Sequence, residues 1–350
     1  MILFDCERLR YPFNGFYSYC YNLANALIEE EKQREEKMCL YLTKHCMDMF
    51  PDDVAKKRCH HYHRRWLPIS KKIRLWHATN QFARYLPDPK RGLPVLLTVH
   101  DLNYLYSDAY IHANHSGRTA ETIARANHIV TISEYVKKDI LEHFDVKPED
   151  VDVVYNGACR YSGPIVAPAV IPDRPFLLYL GRIDKIKNVV SLPPLLAKND
   201  FLLILAGNAS DGAEDAIMEC ARKWGVQDRV IMTGPVSEGE KHWYLQNCSA
   251  FLQPSLAEGF GLPILEAMQY HRPVFASQRT SLPEVGGDCA FYFNYDFEAE
   301  GMQKELEDGL NAFAAGKISK EALDARLDFF SWEKAAKGYY DVYEKMIPGH

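Results

Sequence analysis

The stretch Glu258-Gly259-Phe260-Gly261-Leu262-Pro263-Ile264-Leu265-Glu266 carries two carboxylates eight residues apart. Its first half cannot be regular structure, because two glycines, a Phe between them and then Pro263 punctuate it. Pro263 suits the first position of a helix, where a missing N–H would be unpaired anyway. The run from Pro263 to Tyr270 then predicts two helical turns before Pro273 forbids more. Glu258 is thereby placed in a loop at the mouth of a helix, and Glu266 one turn inside. The backbone N–H groups of Gly259, Phe260, Gly261 and Leu262 face outward at the positive end of the helix dipole, an anion site flanked by two carboxylates. A diphosphate with a hydroxyl-rich group at each end fits it. The plainer reading is a capping Glu258 and a solvated Glu266.

On either side of this stretch, short apolar runs alternate with amphipathic ones. Ile2–Asp5, Cys39–Thr43, Leu75–Ala78, Val95–His100, His128–Ser133 and Val151–Tyr155 read as strands. The clearest helical pattern runs from Tyr17 to about Lys37. A second series follows at Phe176–Leu180, Phe201–Ala206, Val230–Thr233, Ala250–Gln253, Pro273–Ala276 and Ala290–Phe293. Strand alternating with helix predicts an α/β chain with parallel, doubly wound sheets. Between the two series, Pro164, Pro168, Pro172 and Pro175 break any helix or central strand. Residues 1–160 and 176–330 are thus two Rossmann-like halves joined by a linker at 161–175. Ligands of such sheets sit at the carboxyl ends of strands, so the cleft between the halves is the expected site.

The bulk composition bounds the rest. The length of 350 residues suits two domains, and 47% hydrophobic with 25% charged residues is the composition of an ordinary globular protein. A net charge of −6 gives no reason to expect a nucleic-acid binder. The nine cysteines are scattered, without a C-x-x-C pair, which reads as buried reduced thiols and a cytoplasmic location. No run approaches 18 apolar residues, so no membrane span is expected, and the charged Asp5-Cys6-Glu7-Arg8 comes too early for a signal peptide.

Motifs along the chain resemble those of the retaining glycosyltransferases of family 4, which have the GT-B fold. The resemblance rests on Asn14-Gly15, Thr98-Val99-His100-Asp101, Thr131–Glu134, Tyr155-Asn156-Gly157 and Gly181-Arg182-Ile183-Asp184-Lys185-Ile186-Lys187-Asn188. It continues through Leu205-Ala206-Gly207, Glu258–Glu266, Ser281–Asp288 and Phe330-Ser331-Trp332. It implies two Rossmann-like domains facing a central cleft, a nucleotide-sugar donor in the second and an acceptor glycan in the first. The segment 331–350 would pack back on the first domain, and Trp332, Ala335, Ala336, Tyr339 and Tyr343 at helical spacing agree.

The roles follow from chemistry and resemblance together. Breaking the anomeric C–O bond leaves a diphosphate of growing negative charge, on which Arg182 and Lys187 are expected to converge after Gly181, across a strand-to-helix turn. The resemblance gives Glu266 to the ribose hydroxyls, Glu258 to the sugar, and His100 to sugar and phosphate, with Asp101 orienting its loop. Gly15 would let the first helix present its N-terminus. Many relatives carry two adjacent glycines there, where this chain has Asn14. With cations supplying the neutralisation, no metal and no cofactor are expected. Asp150-Val151-Asp152 reads as a surface feature rather than a metal site, and Lys56, Lys57, Arg58, Arg64 and Arg65 around His60, His61 and His63 would repel zinc.

The donor is expected to be a GDP- or UDP-sugar, with mannose from GDP-mannose the first choice, and the acceptor a glycan or lipid-linked glycan. The rival readings are a non-catalytic GT-B subunit and a nucleotide-dependent oxidoreductase. The second would need a G-x-G-x-x-G turn that Leu9–Gly15 lacks. From Lys56 to Arg74 there are eight Lys or Arg and no acid, with Tyr62, Trp66 and Trp76 nearby. This run suits an anionic membrane surface or the pyrophosphate of a lipid-linked acceptor; a solvated face is the other reading.

Overall fold

The computed structural model describes residues 1–12, 15–106 and 109–347. These form two compact units: one holds the chain up to Gly157 together with the tail from Phe330, the other Ala158–Phe329. The first sheet contains β1 (Ile2–Asp5), β2 (Met38–Leu42), β3 (Ala55–Arg58), β4 (Leu75–Ala78), β5 (Val95–Val99), β6 (His128–Thr131) and β7 (Val151–Val153). All pairings are parallel, in the order β3-β2-β1-β4-β5-β6-β7. Burial on both faces explains the unbroken apolar runs: every residue of β1, β2 and β5 is buried. Strand β3 was not expected. Its sequence, Ala-Lys-Lys-Arg, is that of an edge strand whose charges discourage further pairing, and such a strand leaves no hydrophobic signal.

Helices α1 (Gly15–Glu30), α2 (Ala109–Ile123) and α3 (Glu134–His143) serve this unit. Helix α1 stops well short of Lys37. The Glu31 carboxylate accepts the N–H of Met38 at 2.7 Å, drawing the chain into β2, and a 3₁₀ turn at Glu31–Gln33 closes the helix.

The second sheet contains β8 (Phe176–Leu180), β9 (Leu202–Ala206), β10 (Val230–Gly234), β11 (Ala250–Gln253), β12 (Val274–Ser277) and β13 (Phe291–Phe293). It is parallel in the order β10-β9-β8-β11-β12-β13, so the topology reverses between β8 and β11. Its helices are α4 (Ala213–Lys223), α5 (Glu238–Asn247), α6 (Leu262–Met268), α7 (Leu282–Gly286), α8 (Ala299–Ala314) and α9 (Lys320–Phe329). The connection after β8 is not the helix expected from the sequence but three 3₁₀ turns, Lys185–Lys187, Val189–Ser191 and Pro193–Leu196. Left-handed Asn188 (φ 53°) and the pair Pro193-Pro194 prevent an α-helix there.

Helix α6 begins at Leu262, capped by left-handed Gly261 (φ 103°), so Pro263 takes its second position rather than its first. It ends two residues before Tyr270, closing through left-handed His271 (φ 51°). The Pro-rich residues expected as a linker lie against the second unit. Tyr161 and Gln269 exchange two hydrogen bonds (2.9 and 3.0 Å), Val166 N–H donates to the Gly239 carbonyl, and the Tyr244 hydroxyl donates to that of Val170. The few N–H groups that proline leaves behind thus find partners.

The tail forms α10 (Trp332–Met346), with Ser331 capping the N–H of Lys334. Its face of Trp332, Ala335, Ala336, Tyr339, Tyr340 and Tyr343 is buried in one cluster with Tyr19, Leu23 and Leu27 of α1. Burying each large side chain contributes about 1.5–3 kcal/mol. The buried hydroxyls are also paired. Tyr339 bonds Tyr19 (2.7 Å) and Thr98 (3.0 Å), while His77 links Tyr343 (2.7 Å) to Thr98 (2.8 Å). Burial pushes the His77 imidazole down to about 3, so it joins this network as a neutral ring.

Candidate active site

In the second unit, the loops after β8 and after β11 flank the point where strand order reverses. In open parallel sheets the ligand crevice forms at such a point. The two loops are tied by backbone and side chain: Leu256 N–H donates to the Ile186 carbonyl at 2.8 Å, and the Asn188 amide to that of Pro254. Across them, Lys187 Nζ lies 2.7 Å from Glu258 Oε1. The same oxygen accepts from Gln253 Nε2 at 2.7 Å and from the Ser255 hydroxyl at 2.8 Å. Three donors thus converge on this one oxygen, which acts as their common acceptor.

The backbone of the Glu258 loop is held just as closely. The Glu258 N–H donates to Thr280 Oγ1 at 3.0 Å, and the Ser281 hydroxyl reaches the carbonyls of Glu258 and Phe260, each at 3.0 Å. Thr280 is left-handed (φ 55°), a conformation a β-branched residue adopts only when its surroundings impose it. Gly259 and Phe260 are buried, and a side chain on Gly261 would meet Leu282 at 2.6 Å. On the neighbouring loop Gly181 has φ 138°. A Cβ on Gly207 would lie 1.9 Å from the Gly181 carbonyl oxygen, so the turns after β8 and β9 touch through bare backbone.

Arg182 and Lys187 do not converge here. Lys187 turns to Glu258, whereas Arg182, with its side chain 75% exposed, turns to Asp184 at 3.5 Å. Asp184 also caps the turn by accepting the Lys187 N–H at 3.0 Å. Glu266 stands inside α6 and pairs with Lys241 of α5 at 2.9 Å, which also bonds Glu238 at 2.8 Å. Burial works to lower the Lys241 ammonium, but Glu266 and Glu238 outweigh it and hold it above its ordinary range.

The first unit carries the remaining candidates. Gly15 opens α1, and a side chain there would meet nothing within 4 Å; Asn14 lies outside the described residues. His100, at the end of β5, is only 7% exposed and packs edge-on against Tyr19 (4.4 Å) and Phe16 (4.9 Å). Its Nε2 donates to the Thr79 carbonyl at 2.8 Å, which fixes the tautomer and leaves Nδ1 as the acceptor. Burial pushes the ring down to about 4, with the Thr79 bond opposing and Arg8 assisting. Asp101 accepts the Asn103 N–H (3.1 Å), and its own carbonyl accepts from Gln81 (2.9 Å), a loop-shaping arrangement. Asp152, one of the paired acids set aside above, bonds His128 and Lys345.

The sequence reading missed Gln253, Ser255, Asp184, Lys241, Thr280 and Arg8 as parts of these groups. Gln253 left a trace, a polar residue ending an apolar strand at its carboxyl end. Lys241 left none, since only the packing of α5 on α6 brings it to Glu266.

Comparison with known proteins agrees with this architecture. The profile "Glycosyl transferases group 1" matches residues 166–323, and "Glycosyltransferase Family 4" matches residues 58–158. O-antigen chain mannosyltransferase B of Escherichia coli is 25% identical, over 99% of this chain and 100% of that one. Alpha-maltose-1-phosphate synthase of Mycobacterium tuberculosis is 28% identical, over 64% of each chain. The crystal structure of a glycosyltransferase from Rickettsia africae superposes with a TM-score of 0.72 at 14% identity, covering 100% of this chain and 99% of that one. With two parallel Rossmann-like units and both profiles in register with them, the chain belongs to the group 1, family 4-like glycosyltransferases of GT-B fold.

Proposed function

We propose that this glycosyltransferase is a retaining hexosyltransferase of polysaccharide biosynthesis. It moves mannose from GDP-mannose to a hydroxyl of a glycan or lipid-linked glycan. The observation that carries the reading is the pairing of Lys187 with Glu258 across the switch point of the second sheet, with Glu266 one turn inside the helix that follows. The sugar choice is supported by the mannosyltransferase name of the relative that aligns along its whole length.

In this reading the second unit holds the donor and the first the acceptor. Gly181 and the turn Gly259–Leu262 admit the diphosphate to bare backbone, and Lys187 and Arg182 meet its charge as the anomeric bond breaks. Charge stabilisation of this kind is worth about 3–4 kcal/mol per well-placed donor. Glu266 receives the ribose hydroxyls and Glu258 faces the sugar. His100, neutral through its Thr79 bond, offers Nδ1 as an acceptor to the transferred sugar, with Asp101 shaping its loop and Gly15 freeing the start of α1. Because side-chain cations supply the neutralisation, transfer proceeds without a metal.

A thermal-shift series with GDP, UDP and their sugar derivatives, with and without EDTA, tests this. Ligands of the native state raise the melting temperature by mass action. GDP and GDP-mannose are expected to shift it, equally in EDTA. A preference for UDP compounds overturns the donor, EDTA sensitivity overturns metal independence, and no shift with any nucleotide favours a non-catalytic glycan-assembly subunit. An activity unchanged in Glu258→Ala would do the same.

The reading extends to location. No helix among the described residues is long and apolar enough to cross a membrane. In the basic stretch, Trp66 is 62% and Tyr62 49% exposed, and Arg64, Arg65, Lys71 and Lys72 are exposed with no acid within ion-pair distance among the described residues. We propose that this face rests on an anionic membrane, with the chain peripheral on its cytoplasmic side.

A further inference from the structure

We infer that Gln253 is a positioning residue for Glu258, one that fixes which carboxylate oxygen the sugar meets; the inference rests on the reading of Glu258 as sugar-facing. Gln253 ends β11 and is 2% exposed, while Ser255 is fully buried. The Gln253 amide nitrogen donates twice, to Glu258 Oε1 at 2.7 Å and to Ser255 Oγ at 3.0 Å, and the Ser255 hydroxyl donates in turn to the same Oε1 at 2.8 Å. The Ser255 backbone is anchored in turn, its carbonyl accepting from Ser277 at 2.6 Å. The bonds from Gln253, Ser255 and Lys187 to Glu258 all end on Oε1. No donor among the described residues reaches Oε2.

The far side of the Gln253 amide identifies what dictates its orientation. Its Oε1 is buried and has no hydrogen-bond partner. A side-chain amide free to turn would satisfy its oxygen. Turning this one would set two acceptor oxygens 2.7 Å apart, so the carboxylate of Glu258 holds the amide in place and the amide holds the carboxylate. A Lys187 drawn toward a diphosphate would leave Gln253 and Ser255 still gripping Oε1. Oε2 then keeps its direction throughout the reaction. Gln253 touches neither donor nor acceptor in this scheme; it acts through Glu258.

Gln253→Leu removes the grip without adding charge, and Gln253→Glu replaces it with a second carboxylate against the first. Nucleotide affinity measured by calorimetry with GDP and UDP should stay within about twofold of wild type in both variants, since the diphosphate contacts remain. The kcat of Gln253→Leu should fall on the order of 10- to 100-fold with KM for the donor little changed, the expected cost of a misplaced reacting group. In Gln253→Glu the two carboxylates share a proton, so the acid limb of the pH–rate profile should move to higher pH by about a unit or more. A merely structural role would lower the melting temperature and move neither the ratio of kcat to KM nor the pH limb. A folded Gln253→Leu with wild-type kcat, or a Gln253→Glu with an unmoved acid limb, overturns the inference while leaving the donor site standing. A wild-type chain that binds no nucleotide and transfers no sugar instead removes the reading of the site, and this inference with it.

Discussion

His100 shows how one side chain couples the stability of this chain to pH. Its ordinary value is about 6.5 and its folded value about 4, so between these limits the unfolded chain binds the extra proton. The stabilisation from keeping the ring neutral is complete above about pH 6.5 and is lost as pH falls toward 4, amounting to about 2 kcal/mol by pH 5. Asp5, raised by burial to about 7, works in the opposite direction over the same range, so the wild-type curve alone does not isolate His100. The expected result is that His100→Gln, which keeps a donor for Thr79, loses less stability than wild type between pH 6.5 and 5. Denaturant melts at the two pH values measure this, and parallel losses would refute it. From the sequence, His100 was legible as a strand-end residue. Its burial between Phe16 and Tyr19, and the tautomer set by Thr79, depend on residues some 20 to 85 positions away.

At the scale of elements, α10 is held to the first sheet by shape and by hydrogen bonds. The apolar spacing from Trp332 to Tyr343 was readable in the chain, whereas the pairing of Tyr343 with His77, 266 residues earlier, was not. Tyr343→Phe keeps the ring and removes the hydroxyl, leaving His77 Nδ1 buried without a partner. The expected destabilisation is about 1–3 kcal/mol, seen as a lower melting temperature, with nucleotide binding by the second unit unchanged. An unaltered melting temperature would mean the network is not stabilising. Two of the elements misread in the sequence share a cause: their signals were set by neighbours. Strand β3 exists because β2 offers it an edge. Helix α1 ends early because Glu31 captures Met38. The turns after β8 replace a helix because Asn188 and Pro193-Pro194 interrupt it, a local signal that the helical expectation overlooked.

For the whole molecule, the net charge of −6 coexists with the run of eight cations between Lys56 and Arg74. Charge separation of this kind attracts anionic lipid at about 1 kcal/mol per well-placed cation, while the chain as a whole is repelled. Co-sedimentation should show the protein on vesicles containing phosphatidylglycerol but not on pure phosphatidylcholine. Binding should weaken with salt, be lost in Arg64→Glu/Arg65→Glu, and be weakened by Trp66→Ala alone in low salt. Equal binding to both lipids, or a charge-reversed variant that still sediments, would defeat the membrane reading.

The sequence by itself determined the two parallel α/β halves, because strands buried on both faces must be continuously apolar and helices between them amphipathic. It also nominated the loops at the strand ends, from the glycine, proline and charge they carry. Only the tertiary structure decided which side chains meet: Lys187 with Glu258 rather than with Arg182, Lys241 with Glu266, Gln253 and Ser255 beneath Glu258. The two lysine pairings join elements 71 and 25 residues apart, while Gln253 and Ser255 reach Glu258 through the fold of a single loop. The lysine distances follow from how sheets stack and helices pack, which no local pattern encodes.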